Sequence, residues 1–382
     1  MVFTRIIGLS AVLFSAATLA GAQDVGVSDE KIDFVQIAAL DGPAARLGLG
    51  MQKGILAAFK EINDAGGVAG RQLTLDSRDD GYEPDRSIQQ INKMIAERKF
   101  FALIGTVGTP TNKVLQPIAT EADFPLVGPF TGAGFLRNPE LGNLYNLRGS
   151  YDAETEGWIA QLVDNEGLQN IAILYQDDSF GRAGLSGVNK ALTRRGMELV
   201  AEGTYTRNTT DVKDAMVAIR AVNPDAVVMV GAYKPIAEFI KLSRSFDFTP
   251  EFVTISFVGS IALADELWPE GAGVIISQVV PFPWDDSLPI VQEYQTALKA
   301  FDKYSDYGFV TFEGYLVGRL VIEALKDAGD DLTREAFLAA IEGMSSLDFG
   351  GLKLSYGPQD NQGIDQIFMT RLLPDGFFEP ME

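Results

Sequence analysis

The sequence predicts an α/β protein built as two doubly wound parallel-sheet lobes. Two observations predict it. Short apolar runs alternate with amphipathic helical patterns along the whole chain, and most of those runs are continuous and β-branched rather than alternating. Continuous runs mark strands buried on both faces, as in parallel sheets, and strand–helix alternation calls for right-handed crossovers. The length, 382 residues, adds a third constraint: at roughly 100–200 residues per domain it suggests two domains.

The strands expected in order are Ile32–Leu40, Gln72–Asp76, Ala102–Gly105, Pro125–Val127, Ile171–Tyr175, Ala226–Gly231, Glu251–Ile255 and Gly273–Ser277. Between them, Met51, Ile55, Ala58, Phe59 and Ile62 fall at helical spacing, and this helix should stop at Asp64-Ala65-Gly66-Gly67. Ile88, Ile91 and Ile95 form a second stripe, with Pro84 suited to the first turn. Trp158, Leu162 and Val163 mark a third, opening after Ser150 and Asp152. Ala215, Ile219 and Val222 mark a fourth, ended by Asn223-Pro224. Ala237, Ile240 and Leu242 sit on a fifth, and Leu316, Leu320, Ile322 and Leu325 on a sixth. No low-complexity linker separates the two expected domains.

Composition narrows function. There is no Cys and no His. That removes disulfides, thiolate nucleophiles, Ser-His-Asp chemistry and the commonest metal ligands. Carboxylate, Lys or Tyr chemistry remains open, so an enzyme is disfavoured rather than excluded. The formal charge of -21, with no basic stretch to offset it, repels nucleic-acid phosphate and anionic lipid. Neither nucleic acid nor membrane insertion is expected of the mature chain. Arg5, the apolar run Ile6–Leu19 and Ala20-Gly21-Ala22 have the parts of a secretory signal peptide over residues 1–22. No metal or cofactor is expected. Gly48-Leu49-Gly50 with Gly54 has the spacing GxGxxxG, which is wrong for a dinucleotide fingerprint. Asp177-Asp178 and Asp285-Asp286 read as turn acids.

Several strings resemble the periplasmic leucine/isoleucine/valine-binding family, the type I solute-binding proteins of ABC importers. Asp41-Gly42-Pro43 through Gly48 is similar to that family's "SGP…G", and Ile62-Asn63-Asp64-Ala65-Gly66-Gly67-Val68-Ala69-Gly70 to its "INAxGGIxG". Asp79-Asp80-Gly81-Tyr82-Glu83-Pro84 is similar to its "DD…P". Gly105–Thr109, Pro125–Gly132, Ile171–Tyr175 with Phe180-Gly181, and Gly231-Ala232-Tyr233 stand at the expected strand ends. The order and spacing of these strings, over essentially the whole mature chain, carry the resemblance.

The resemblance implies the type I periplasmic binding fold, two lobes joined by a multi-strand hinge, with breaks near Arg148–Ser150, Ser277–Val280 and Ser355–Gln362 as the crossings. Lobe 1 would then be residues 23–148 and 279–356, and lobe 2 residues 149–278 and 357–382. The ligand would lie between them at the carboxyl ends of the strands, and a monomer would hand it to a membrane permease. A sensing module reporting to a receptor is the rival role, and a secreted α/β enzyme a more distant one.

The resemblance also assigns residues. Thr109 matches a hydroxyl that holds the ligand, and it can equally cap the following helix. Phe130 and Thr131 follow the next strand in a glycine turn. Tyr151 stands just past the first crossing, and Phe180 and Tyr233 match cleft aromatics. Tyr82 and Gly108 take places where some relatives carry a linking disulfide. Leu47 matches an aromatic of the side-chain pocket. Glu313 begins a helix on the cleft side, as a ligand contact or as an acid offsetting the helix dipole. In the amino-acid-binding relatives a glutamate receives the ligand's ammonium; the matching residue here is Ser256. A serine brings no charge, and a buried ammonium without a carboxylate is costly. The expected ligand is therefore a small carboxylate or amide with an apolar or aromatic body, rather than a free α-amino acid.

Overall fold

The computed structural model describes residues 24–330 and 332–381. The expected signal peptide lies outside the described residues. No described helix is long and apolar enough to cross a membrane.

The first half of the chain runs β1 (Lys31–Ala38), α1 (Ala45–Asp64), β2 (Gln72–Asp79), α2 (Pro84–Glu97), β3 (Ala102–Ile104), α3 (Thr109–Glu121), β4 (Leu126–Val127) and β5 (Leu144–Tyr145). These strands form one sheet in the order β2-β1-β3-β4-β5, every pair parallel. Next come α4 (Tyr151–Ile159), β6 (Ile171–Gln176), α5 (Ser179–Thr193), β7 (Ala201–Tyr205), α6 (Lys213–Ala221), β8 (Ala226–Val230), α7 (Tyr233–Ser245), β9 (Glu251–Thr254), α8 (Ser260–Leu267) and β10 (Ile275–Gln278). The chain then adds α9 (Pro289–Phe301), α10 (Phe309–Ala328), α11 (Arg334–Glu342), β11 (Leu347–Asp348), β12 (Lys353–Leu354), β13 (Phe368–Leu372) and β14 (Phe378–Pro380). The second sheet has the order β14-β13-β10-β9-β8-β6-β7. It is parallel from β7 to β10, and β13 and β14 close its far edge antiparallel.

The central strands are buried along their whole length, as their unbroken apolar runs require: β6 (IAILYQ) and β8 (AVVMV) expose no residue. Pro84 opens α2, where its missing N–H costs nothing. Helix α1 buries Leu47, Met51, Ile55, Ala58 and Phe59. It is joined by α10 from more than 240 residues later in the chain, at backbone-to-backbone distance. A Cβ on Gly54 would stand 2.0 Å from the Thr311 carbonyl oxygen, and one on Gly314 2.4 Å from that of Met51. Only glycine admits this approach. The first sheet thus takes part of its helical cover from the C-terminal third of the chain.

Candidate functional site

The loops leaving the carboxyl ends of the parallel strands of both sheets meet. From the first sheet come Tyr82 after β2, Gly108 and Thr109 after β3, and Phe130 and Thr131 after β4. From the second come Phe180 after β6, Tyr233 after β8 and Ser256 after β9. Tyr151 opens α4 between the two sheets. All nine are buried. Open α/β sheets place ligands at such strand ends because helix N-termini and free loop amides converge there.

Local sequence explains each placement. Gly108 holds φ at 102°, which turns the chain from β3 into α3. The Tyr82 ring packs against it, with Cε2 2.2 Å from where a Cβ would be. Where relatives can carry a disulfide, this protein packs tyrosine on glycine. Thr109 does not cap α3, whose cap position is Gly108. Its hydroxyl is instead 2.7 Å from that of Thr131. Ser150 caps α4 by accepting from the Ala153 N–H, and the Tyr151 N–H donates to the Gly132 carbonyl at 2.7 Å. That bond sets the Tyr151 hydroxyl beside Thr109 and Thr131. Asp178 caps α5 through the Phe180 N–H at 2.9 Å, so this acid is occupied as a turn residue. Among the described residues no group of three or more acids is placed to hold a metal ion.

The rings form one cluster. Phe257, next to Ser256, lies 4.6 Å from Phe180, 5.3 Å from Phe130 and 5.9 Å from Tyr82 between ring centroids. Phe180 also meets Tyr151 at 5.6 Å. Phe257 thereby links the aromatics of both sheets, and it is absent from the residues expected above. Tyr233 stands off this cluster and directs its hydroxyl to the backbone of Arg46 on α1. Leu47 reaches across to Gly259. Gln176 on β6 donates to the Tyr82 hydroxyl at 3.3 Å. At the edge of the cleft Arg207 pairs with Glu83 at 2.8 Å, and Asn208 donates to Glu83 at 2.7 Å. A cavity of about 330 Å³ opens there, with Pro43 and Tyr82 on one wall and Gln176, Asn208 and Lys234 on the other.

Beneath the rings lies a buried charge network that sequence reading missed in part. Arg148 is 1% exposed. Its guanidinium lies over the Phe130 ring at 4.5 Å, its Nε is 3.0 Å from Glu313, and its Nη2 donates to Ser256 Oγ at 2.7 Å. The Glu154 carboxylate accepts from the Ser256 N–H and Oγ, both at 2.9 Å, and from Ser277 Oγ at 2.5 Å. Arg137 braces the same region by donating to the carbonyls of Thr131, Ala133 and Arg148. Burial opposes the charge on Arg148, but Glu313 and Glu154 outweigh it and hold its pKa above the ordinary value. Burial pushes Glu313 up to about 7 against the pull of Arg148. Ser256 therefore sits between a cation and an anion supplied by other elements.

The comparisons with known proteins fall in line with this geometry. The chain belongs to the periplasmic binding protein family, whose model matches residues 31–376. A "Leu/Ile/Val-binding protein homolog 7" of Brucella suis biovar 1 (strain 1330) is 22% identical, with 94% of this chain and 93% of that protein covered. The crystal structure of a possible leucine/isoleucine/valine-binding protein from Rhodopirellula baltica SH 1 is 34% identical, with a TM-score of 0.89 over 94% of this chain and 98% of that one. A branched-chain amino acid ABC transporter structure from Thermus thermophilus with bound valine shares the fold, at a TM-score of 0.83 and 16% identity over 93% of this chain and 96% of that one. These are the relatives that the sequence motifs resemble, and the architecture is theirs: two parallel-sheet lobes of the type I periplasmic binding class.

Proposed function

We propose that this chain is a periplasmic solute-binding protein that captures a small organic ligand, a carboxylate or amide of branched-chain amino-acid-like size, and delivers it to the permease of an ABC importer. One observation carries this reading: hydroxyl and aromatic side chains from the strand ends of two separate sheets are buried against one another. Such a surface is built to close around something and reopen. Tyr82, Gly108, Thr109, Phe130, Thr131, Tyr151, Phe180, Tyr233 and Ser256 are the proposed ligand-facing set. The lobes divide at 148/149, 278/279 and 356/357, so that three strands of chain form the hinge.

The relatives, named as binding proteins, support solute capture rather than catalysis, and so does the lack of any His or Cys. We assign no enzymatic activity, a monomeric state, and delivery by docking to a membrane permease. The test is native mass spectrometry of freshly purified protein, followed by calorimetry with whatever co-purifies. A bound molecule of a few hundred daltons, released unchanged and rebound, supports the reading. A bound molecule that is chemically converted on incubation sinks it.

A further inference from the structure

We propose that the cleft selects a small carboxylate that bears no ammonium group, and that Arg148 is one of its contacts. This inference rests on the solute-binding reading above and deepens it.

The argument is a balance of donors and acceptors. Three acids are buried in or beside the cleft, and all are engaged: Asp80 accepts from Ser87 Oγ at 2.7 Å and from the Tyr82 N–H at 2.9 Å. Glu154 accepts three hydrogen bonds from Ser256 and Ser277, and Glu313 is paired with Arg148. A ligand ammonium would find no free carboxylate among them, and a buried ammonium needs one. The donors are the reverse. Arg148 Nη1 is fully buried and has no hydrogen-bond partner, and the equally buried Tyr151 hydroxyl has only the Thr109 and Thr131 hydroxyls beside it. Thr109 and Thr131 share a single bond between two hydroxyls, which leaves one hydrogen over. Tyr151 stands beside both threonines, and the Arg148 guanidinium lies 4.5 Å over the ring of Phe130, the residue before Thr131, so these donors belong to one region of the cleft. Buried donors left without acceptors are rare and costly. An anion with two acceptor oxygens satisfies them together, and a guanidinium makes the strongest such bonds. The rings of Phe130, Phe180 and Phe257 then face the apolar body of the ligand.

The experiment is a calorimetric comparison of matched sets: leucine, 4-methylpentanoate, 4-methylpentanamide and isoamylamine, and likewise phenylalanine, 3-phenylpropanoate, 3-phenylpropanamide and phenethylamine. The expected result is that, in at least one set, the plain carboxylate binds at least about tenfold more tightly than its amino acid, its amide and its amine. Tyr151→Phe, which keeps the ring and removes the hydroxyl, should weaken the carboxylate about tenfold with an unchanged melting temperature. Arg148→Lys is a second variant that keeps the charge beside Glu313 but loses the second nitrogen; it too should weaken the carboxylate. Tighter binding of an amino acid or an amine overturns the inference and leaves solute capture standing. Binding of no member, together with no co-purifying molecule, overturns both.

Discussion

At the scale of single residues, Thr109 and Tyr233 are the proposed contacts that a single truncation tests most directly. Thr109→Ala and Tyr233→Ala should each weaken ligand binding by about 1–3 kcal/mol without unfolding the protein, as removal of one contact at a desolvated site does; calorimetry beside a thermal melt checks both. Glu313 makes a second, sharper prediction. The folded protein keeps a proton on this carboxyl up to about 7, whereas the ordinary value is 4.5. Its contribution to stability is therefore complete below 4.5 and is lost as pH rises toward 7, with a slope of at most about 1.4 kcal/mol per pH unit. Asp80, raised by burial to about 6, titrates in the same window. Glu313→Gln should flatten urea-melt stability across that window, and Asp80→Asn should remove the remainder; an unchanged slope in both would contradict the burial of these acids. The hydroxyls and rings were readable because each follows a strand end in a glycine-bearing turn. Arg148, Glu154 and Arg137 were not, because a charged residue in sequence looks like a solvated surface. Only topology brings residues 148, 154, 256 and 313 into one network.

At the scale of elements, the strands legible in the sequence are those with apolar runs on both faces. Expected Ile171–Tyr175 is β6 with one residue added, and expected Gln72–Asp76 extends to Asp79. The strands not foreseen are edges and ribbons. β7 (AEGTY) lies at the outer rim of its sheet with alternate residues exposed, and β13 and β14 form an antiparallel margin. Edge strands bury one face and need no continuous apolar run. The helical stripe on α2 shows a related shift: Ile91 is buried, while Ile88 and Ile95 flank it half-buried and Met94 takes the core position. The α1–α10 contact yields a prediction of its own. Gly54→Ala should cost about 1–3 kcal/mol, since the two backbones must part, whereas Gly142→Ala, where a Cβ meets nothing within 4 Å, should be near neutral. Equal denaturation midpoints for the two variants would refute close packing at Gly54.

At the scale of the whole molecule, Arg207 and Asn208 hold Glu83 across the rim of the cleft, while Arg148 ties Glu313 to Ser256 at its floor. A ligand can shift the balance between open and closed forms only by binding one better. The bound ligand should compact the protein in small-angle scattering, and Glu83→Ala should raise the radius of gyration of the free protein and weaken binding severalfold. An unchanged radius with saturating ligand would argue against hinge closure. The pairing of α1 with α10 also sets the order in which the polypeptide can reach its final shape. The ribosome makes residues 45–64 early, but the face of α1 carrying Gly54 has no partner until residues 309–328 exist. Contacts so distant along the chain form slowly, because a long loop must close before they are rewarded. The first lobe to be synthesised thus waits for residues 309–328, and the second waits longer still, for β13 and β14 at its margin, so the nascent chain stays short of its compact form until most of it has been made.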